Sequence, residues 1–117
     1  MEQQNWNLKK MVNQSVIDTA NRYIQKISEN VEIKKAYLFG SYAKGNEQVD
    51  SDIDIAIVIG KMDDFFEVQM QLMRLRRSID LRIEPHPIWE GDFNSENPFA
   101  YEIEKTGIEL KQTKLIQ

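Results

Sequence analysis

Seven residues do most to limit what this chain can become. Ile53-Asp-Ile-Ala-Ile-Val-Ile59 puts isoleucine at every second position, and the positions between them run Asp54, Ala56, Val58. β-Branched residues in this pattern predict a strand covered on both faces, closed by Gly60. Asp52 and Asp54 then stand at its entrance. Side chains alternate along a strand, so the two point to one side with Cα atoms about 6.5 Å apart, two rises of ~3.3 Å.

A covered strand needs neighbours in a sheet and helices over it, and the remaining sequence supplies both. Residues 7 to 30 carry Leu8, Met11, Val12, Ile17, Ala20, Tyr23, Ile24 and Ile27 at helical spacing. Ala36-Tyr-Leu-Phe39 reads as a buried strand stopped by Gly40, and Gly45-Asn46 marks a turn in the polar segment that follows. From Asp63 to Ser78, Phe66, Met70, Met73 and Arg77 mark a helix, acidic in its first turn and basic in its last. Ile79 to Glu84 is expected as a third strand, limited by Pro85 and Pro87 because proline cannot donate into a ladder.

Residues 88 to 97 read as a loop, Asn97-Pro98 starts a last helix running to Gly107, and Ile108 to Leu110 forms a short edge strand. The fold class predicted is α+β, a small mixed β-sheet with helices packed on it. At 117 residues the chain is read as a single domain, 1 to 117, with a helical N-terminus at 7–30 and the core at about 33–110.

Several chemistries fall away on composition. There is no cysteine and only one histidine, His86, so thiolate zinc sites, redox pairs, cysteine nucleophiles and paired-histidine metal sites are excluded. A metal must be held mainly by carboxylates. The longest apolar run cannot span a membrane, and the N-terminus lacks the basic start and apolar stretch of a secretory signal, so a cytoplasmic location is expected. A net charge of -4 argues against a broad duplex-gripping surface, and Arg74, Arg76 and Arg77 are read as complementing a helix dipole rather than binding nucleic acid.

The aspartates carry the strongest chemical signal. Two carboxylates at strand spacing can share a pair of divalent ions ~3.5 to 4 Å apart, the arrangement that clamps the attacking and leaving oxygens in phosphoryl transfer. Without a cation, like charges at a covered strand would cost stability. Gly40 and Ser41 lie ahead of them, where glycine lets a phosphate approach the backbone and free amides and the hydroxyl can donate to it. On the expected third strand, Asp80, Arg82 and Glu84 share a face. Asp80 is a candidate third carboxylate, acting as metal ligand and as base for an acceptor hydroxyl; Glu84 is a second candidate for the same post.

Gly40-Ser-Tyr-Ala-Lys-Gly45, six further residues and then Asp52-Ile-Asp54 resemble the signature of the minimal nucleotidyltransferases of the DNA polymerase beta superfamily. Ile79-Asp-Leu-Arg82 resembles the strand that brings the third carboxylate in that superfamily, which favours Asp80 over Glu84. The resemblance covers roughly residues 33 to 110. It implies a metal-dependent transfer of a nucleoside monophosphate from a nucleoside triphosphate, ATP, bound with two magnesium ions, to a protein or small-molecule acceptor. Gly40 and Ser41 would hold its β and γ phosphates, Lys44 would steady the triphosphate, and Asp52, Asp54 and Asp80 would be the catalytic and metal-binding carboxylates.

At this length no segment is expected to be left over to grip a large acceptor. Minimal members of this type pair with a separate helical protein of the HEPN class, as toxin and antitoxin, and the resemblance therefore implies such a partner in bacteria or archaea. The contrasting reading is a non-catalytic module that neutralises a helical partner by covering it; the intact carboxylates weigh against it. A homo-oligomer is left open. His86 reads as a hydrogen-bonded structural residue, and Trp89, Phe93, Phe99 and Tyr101 as core or partner interface rather than a base-stacking surface.

Overall fold

The computed structural model describes residues 13–111. Six of the seven residues of β2 (Ile53–Ile59) are fully or almost fully inaccessible apolar side chains on both faces, as the pattern predicts. That is possible because β2 lies between two strands: β1 (Ile33–Phe39) pairs with it antiparallel and β3 (Ile83–Trp89) parallel. A two-residue β4 (Ile108–Glu109) adds antiparallel to β1, giving a mixed sheet of order β3-β2-β1-β4.

Each face of the sheet has its own cover. On one, Ile53, Ile55, Ile57 and Ile59 pack with Leu38, Ala36 and Ile83 against Val16, Ala20, Tyr23, Ile24 and Ile27 of α1 (Gln14–Ile27). Leu72 of α3 (Phe65–Leu75) closes the same core. On the other, Tyr37, Ala56 and Ile88 pack against Ile103 of α4 (Pro98–Thr106), with Phe39 and Phe93 at the margin. Burying each large aliphatic side chain contributes about 1.5 to 3 kcal/mol.

The helix ends follow their caps. Asn13 accepts from the amides of Ser15 and Val16 at the start of α1, Asp64 from Glu67 at the start of α3, and Asn97 from Phe99 and Ala100 at the start of α4. A single turn, α2 (Ser41–Lys44), joins β1 to the loop leading into β2. The expected helix over 7–30 is seen as α1, and its residues 7–12, with Trp6 ahead of them, lie outside the described residues.

Two expectations are corrected. In α3 the residues turned inward are Leu72, Val68 and Leu75, whereas Phe66 and Met70 are 69% and 43% exposed. The three-and-four spacing exists on two faces of this helix, and packing chose the aliphatic one.

The third strand is Ile83–Trp89, not Ile79–Glu84; residues 76–78 form a 3-10 turn and Asp80 lies ahead of the strand. Pro85 and Pro87 sit inside it. β3 is an edge strand, and Arg82 already turns its carbonyl to β2, accepting from the Ile53 amide at 2.8 Å. Alternation then aims both proline nitrogens outward, where no ladder donor is needed. The outward carbonyls are met by side chains of α3 and of the 3-10 turn after it: Arg76 Nη1 donates to Ile83 O at 2.8 Å and Gln69 Nε2 to Pro85 O at 3.3 Å. This coverage blunts the edge.

Candidate active site

The end of β1 and the start of β2 bring the first elements together. In the antiparallel register Phe39 lies opposite Asp54, so the next residue, Gly40, passes directly over the aspartate. Gly40 has φ 79° and ψ −153°, a backbone conformation that suits glycine. A Cβ at this position would run into Oδ2 of Asp54 and stand 3.2 Å from its carboxyl carbon. Gly40 is therefore required twice over, for its backbone and for the room it leaves.

Asp52 is exposed immediately before β2, and Asp54 is half-buried as its second residue. Ser41 is half-buried as the first residue of α2, with Tyr42 buried behind it and Lys44 exposed at the end of the turn. The signature residues Gly40, Ser41, Asp52 and Asp54 thus converge at one end of the sheet.

Asp80 and Glu84 take different places. The parallel register sets Glu84 beside Asp54 and His86 beside Ala56. Asp80, four residues earlier, is bound to Arg82: Nη2 donates to Oδ2 at 2.9 Å, while Nε and the Arg82 amide donate to Oδ1 at 3.1 and 2.9 Å. The hydrogen bond from the Arg82 side chain holds the Asp80 carboxyl below its usual range, despite partial desolvation. Arg82 Nη1 reaches on to Tyr42 Oη at 3.1 Å, so the pair forms a strut against the turn that carries Ser41.

His86, read from the sequence as a hydrogen-bonded structural residue, has a partner the sequence did not name. Its Nε2 lies 3.2 Å from Asp54 Oδ1. Its ring meets Phe39 edge-on at 5.0 Å and Phe99 at 6.3 Å, and Phe39 and Phe99 meet edge-on at 5.6 Å. The aromatic side chains fix the imidazole plane, and the imidazole in turn orients the carboxylate. The only sequence signal was the position of His86 two residues after Glu84 on the same strand face, which could be used only with the strand bounds in hand.

Among the described residues no three carboxylate or imidazole groups stand close enough to form a ready-made metal cage. Magnesium keeps several waters and uses one or two carboxylates plus substrate phosphates. Asp54, with Glu84 in register beside it and Asp52 two residues ahead, supplies hard oxygen donors of the kind such an ion takes. Glu84 also has a long contact with Arg76, 3.8 Å, at the outer edge.

The family described as Polymerase beta, Nucleotidyltransferase matches residues 21–114, and the chain belongs to it. A Methanocaldococcus jannaschii protein provisionally named as a protein adenylyltransferase is 35% identical over 51 residues, which is 41% of this chain and 59% of the relative; the chain thus spans less than two thirds of that relative's length. A toxin-antitoxin structure with AMP-PNP superposes with a TM-score of 0.61 at 24% identity, covering 81% of this chain and 74% of the other. A Sulfolobus solfataricus protein provisionally assigned as a nucleotidyltransferase gives 0.60 at 20% identity over 86% and 83%, and the MntA-HepT toxin-antitoxin 0.57 at 20% over 88% and 75%. These structures share the α+β fold. No helix among the described residues is long and apolar enough to cross a membrane.

Proposed function

We propose that this nucleotidyltransferase moves AMP from ATP, with magnesium, onto a hydroxyl of a protein acceptor, a separate helical partner of the HEPN class. The observation that carries this reading is the convergence of Gly40 on Asp54, with Asp52 two residues ahead and Glu84 in register beside it. The name of the archaeal relative and the toxin-antitoxin complexes with the same fold support a protein acceptor and a partner.

In this reading Gly40 and Ser41 receive the β and γ phosphates and Lys44 steadies the triphosphate tail. Asp52 and Asp54 would hold two magnesium ions, which when bound would neutralise phosphate charge and make the α phosphorus more electrophilic. Glu84 takes the place expected for Asp80. Both oxygens of Asp80 are engaged by Arg82, whereas Glu84 lies beside Asp54. Glu84 accepts the proton of the acceptor hydroxyl as its oxygen bonds to the α phosphorus. The bond from that phosphorus to the bridging oxygen breaks, and pyrophosphate leaves.

Incubating the chain with α-labelled ATP, magnesium and the product of the adjacent gene should label that protein. Asp52→Asn should abolish labelling while leaving the fold intact. Labelling that persists in Asp52→Asn would refute the mechanism, and protection from the partner without any labelling would make binding the activity.

A further inference from the structure

At the far end of β3 the chain builds a second concavity. A cavity of about 450 Å³ opens between the turn from β2 to α3, the last residues of β3 and the start of α4. Phe65, Trp89 and Phe99 border it, each about half exposed. The Trp89 ring lies against Gly91, where a Cβ would run into its six-membered ring, so the indole is seated on backbone. Asp63 and Asp92 complete the wall, and neither side chain has a hydrogen-bond or ion-pair partner among the described residues.

Aromatic faces beside unpaired carboxylates attract cations and repel anions. Among cationic side chains, guanidinium is the best match. It is planar, stacks on aromatic rings, forks onto carboxylates and gives up water more readily than ammonium. Asp63 has a second explanation, since it precedes the cap of α3 where the helix dipole favours an acid. Asp92 has none: it ends a 3-10 turn, with its carbonyl tied to Asn97 Nδ2 at 2.9 Å and its carboxylate unpaired.

The cavity is separate from the phosphate end of the site but coupled to it. Trp89 is five residues beyond Glu84, about 16 Å along the strand at ~3.3 Å per residue. Phe99 is common to both, lining the cavity while its ring packs on Phe39 and His86, the latter in contact with Asp54. We propose that this cavity receives an arginine side chain of the protein acceptor and so anchors it beside the transfer site. Its place as an acceptor anchor rests on the transferase reading above; the affinity for a guanidinium does not.

Two measurements separate these. The full chain, labelled with nitrogen-15 and free of nucleotide and metal, is titrated with blocked arginine amide and with blocked citrulline amide, its neutral isostere. The Trp89 indole resonance is identified from Trp89→Phe. Arginine amide should shift it saturably at millimolar concentration, with citrulline amide and Asp92→Asn each weakening binding about tenfold, the loss of one charge-assisted contact. Equal binding of the two probes, absence of a saturable shift, or undiminished binding in Asp92→Asn overturns the guanidinium site.

With ATP, magnesium and the protein acceptor, Asp92→Asn should raise the acceptor KM and leave kcat and the KM for ATP unchanged. An unchanged acceptor KM overturns the anchoring role. If arginine amide binds while no variant or wild-type chain transfers label, the transferase reading fails and the acceptor role fails with it, while the cation site stands.

Discussion

Gly40 leaves no space between itself and Asp54: a Cβ on residue 40 would run into Oδ2 of that aspartate. The backbone there is also left-handed, with φ 79°. Gly40→Ala should therefore strain the turn by about 1 to 3 kcal/mol and push the Asp54 carboxylate aside. Misplacing a reacting group by about 1 Å can cost about a hundredfold. We expect label transfer to fall by that order, with a lowered melting temperature. Full activity in Gly40→Ala would mean that Asp54 is free to relocate.

The roles of Glu84 and Asp80 separate by kinetics. Glu84→Gln removes the proposed base and should lower kcat by about a hundredfold to ten-thousandfold. Asp80→Asn loosens Arg82 and, through Tyr42, the turn bearing Ser41. It should mainly raise the KM for ATP. The reverse pattern, with kcat lost in Asp80→Asn and kept in Glu84→Gln, would return the third carboxylate to Asp80.

Asp80 should also contribute to the loss of stability in acid. Its carboxyl is depressed from 3.8 by the Arg82 hydrogen bonds. A group held below its unfolded value stabilises the fold fully above that value and loses the contribution as pH falls through the folded one. Denaturant unfolding followed from pH 6 downwards should show a steeper acid loss in wild type than in Asp80→Asn, with the two curves approaching below the ordinary carboxylate range. Parallel curves throughout would show that the Asp80 pair adds nothing.

Tyr23 ties α1 to α3. Its hydroxyl, fully buried, donates to Leu72 O at 2.7 Å, and burial pushes the phenol well above its usual value. Tyr23→Phe removes the donor and leaves the carbonyl short of a partner, at a cost of about 1 to 2 kcal/mol. Denaturant melts should report this, with ATP binding unchanged because the contact lies on the face of the sheet opposite Asp54.

Much of the frame was legible because it depends on local periodicity. Isoleucine at alternate positions needs cover on both sides wherever it occurs, Asn97-Pro98 starts a helix through its own side chain and ring, and the spacing from Gly40-Ser41 to Asp52 and Asp54 spans one hairpin connection. The third strand was not legible. Pro85 and Pro87 exclude a central strand but permit an edge, and edge or centre is a property of the assembled sheet. Reading them as a stop shifted the strand by four residues and put Asp80 where Glu84 lies.

Taken alone, the order of residues determined that Asp52 and Asp54 enter a covered strand behind a glycine-serine turn, and that no thiol or histidine pair could bind a metal. Only the tertiary structure decided which acid stands beside Asp54, that His86 touches Asp54, and that Arg82 bonds to Asp80 and Tyr42. Those pairings cross between strands, and a strand's register is set by the packing of both sheet faces, which no short stretch of sequence contains.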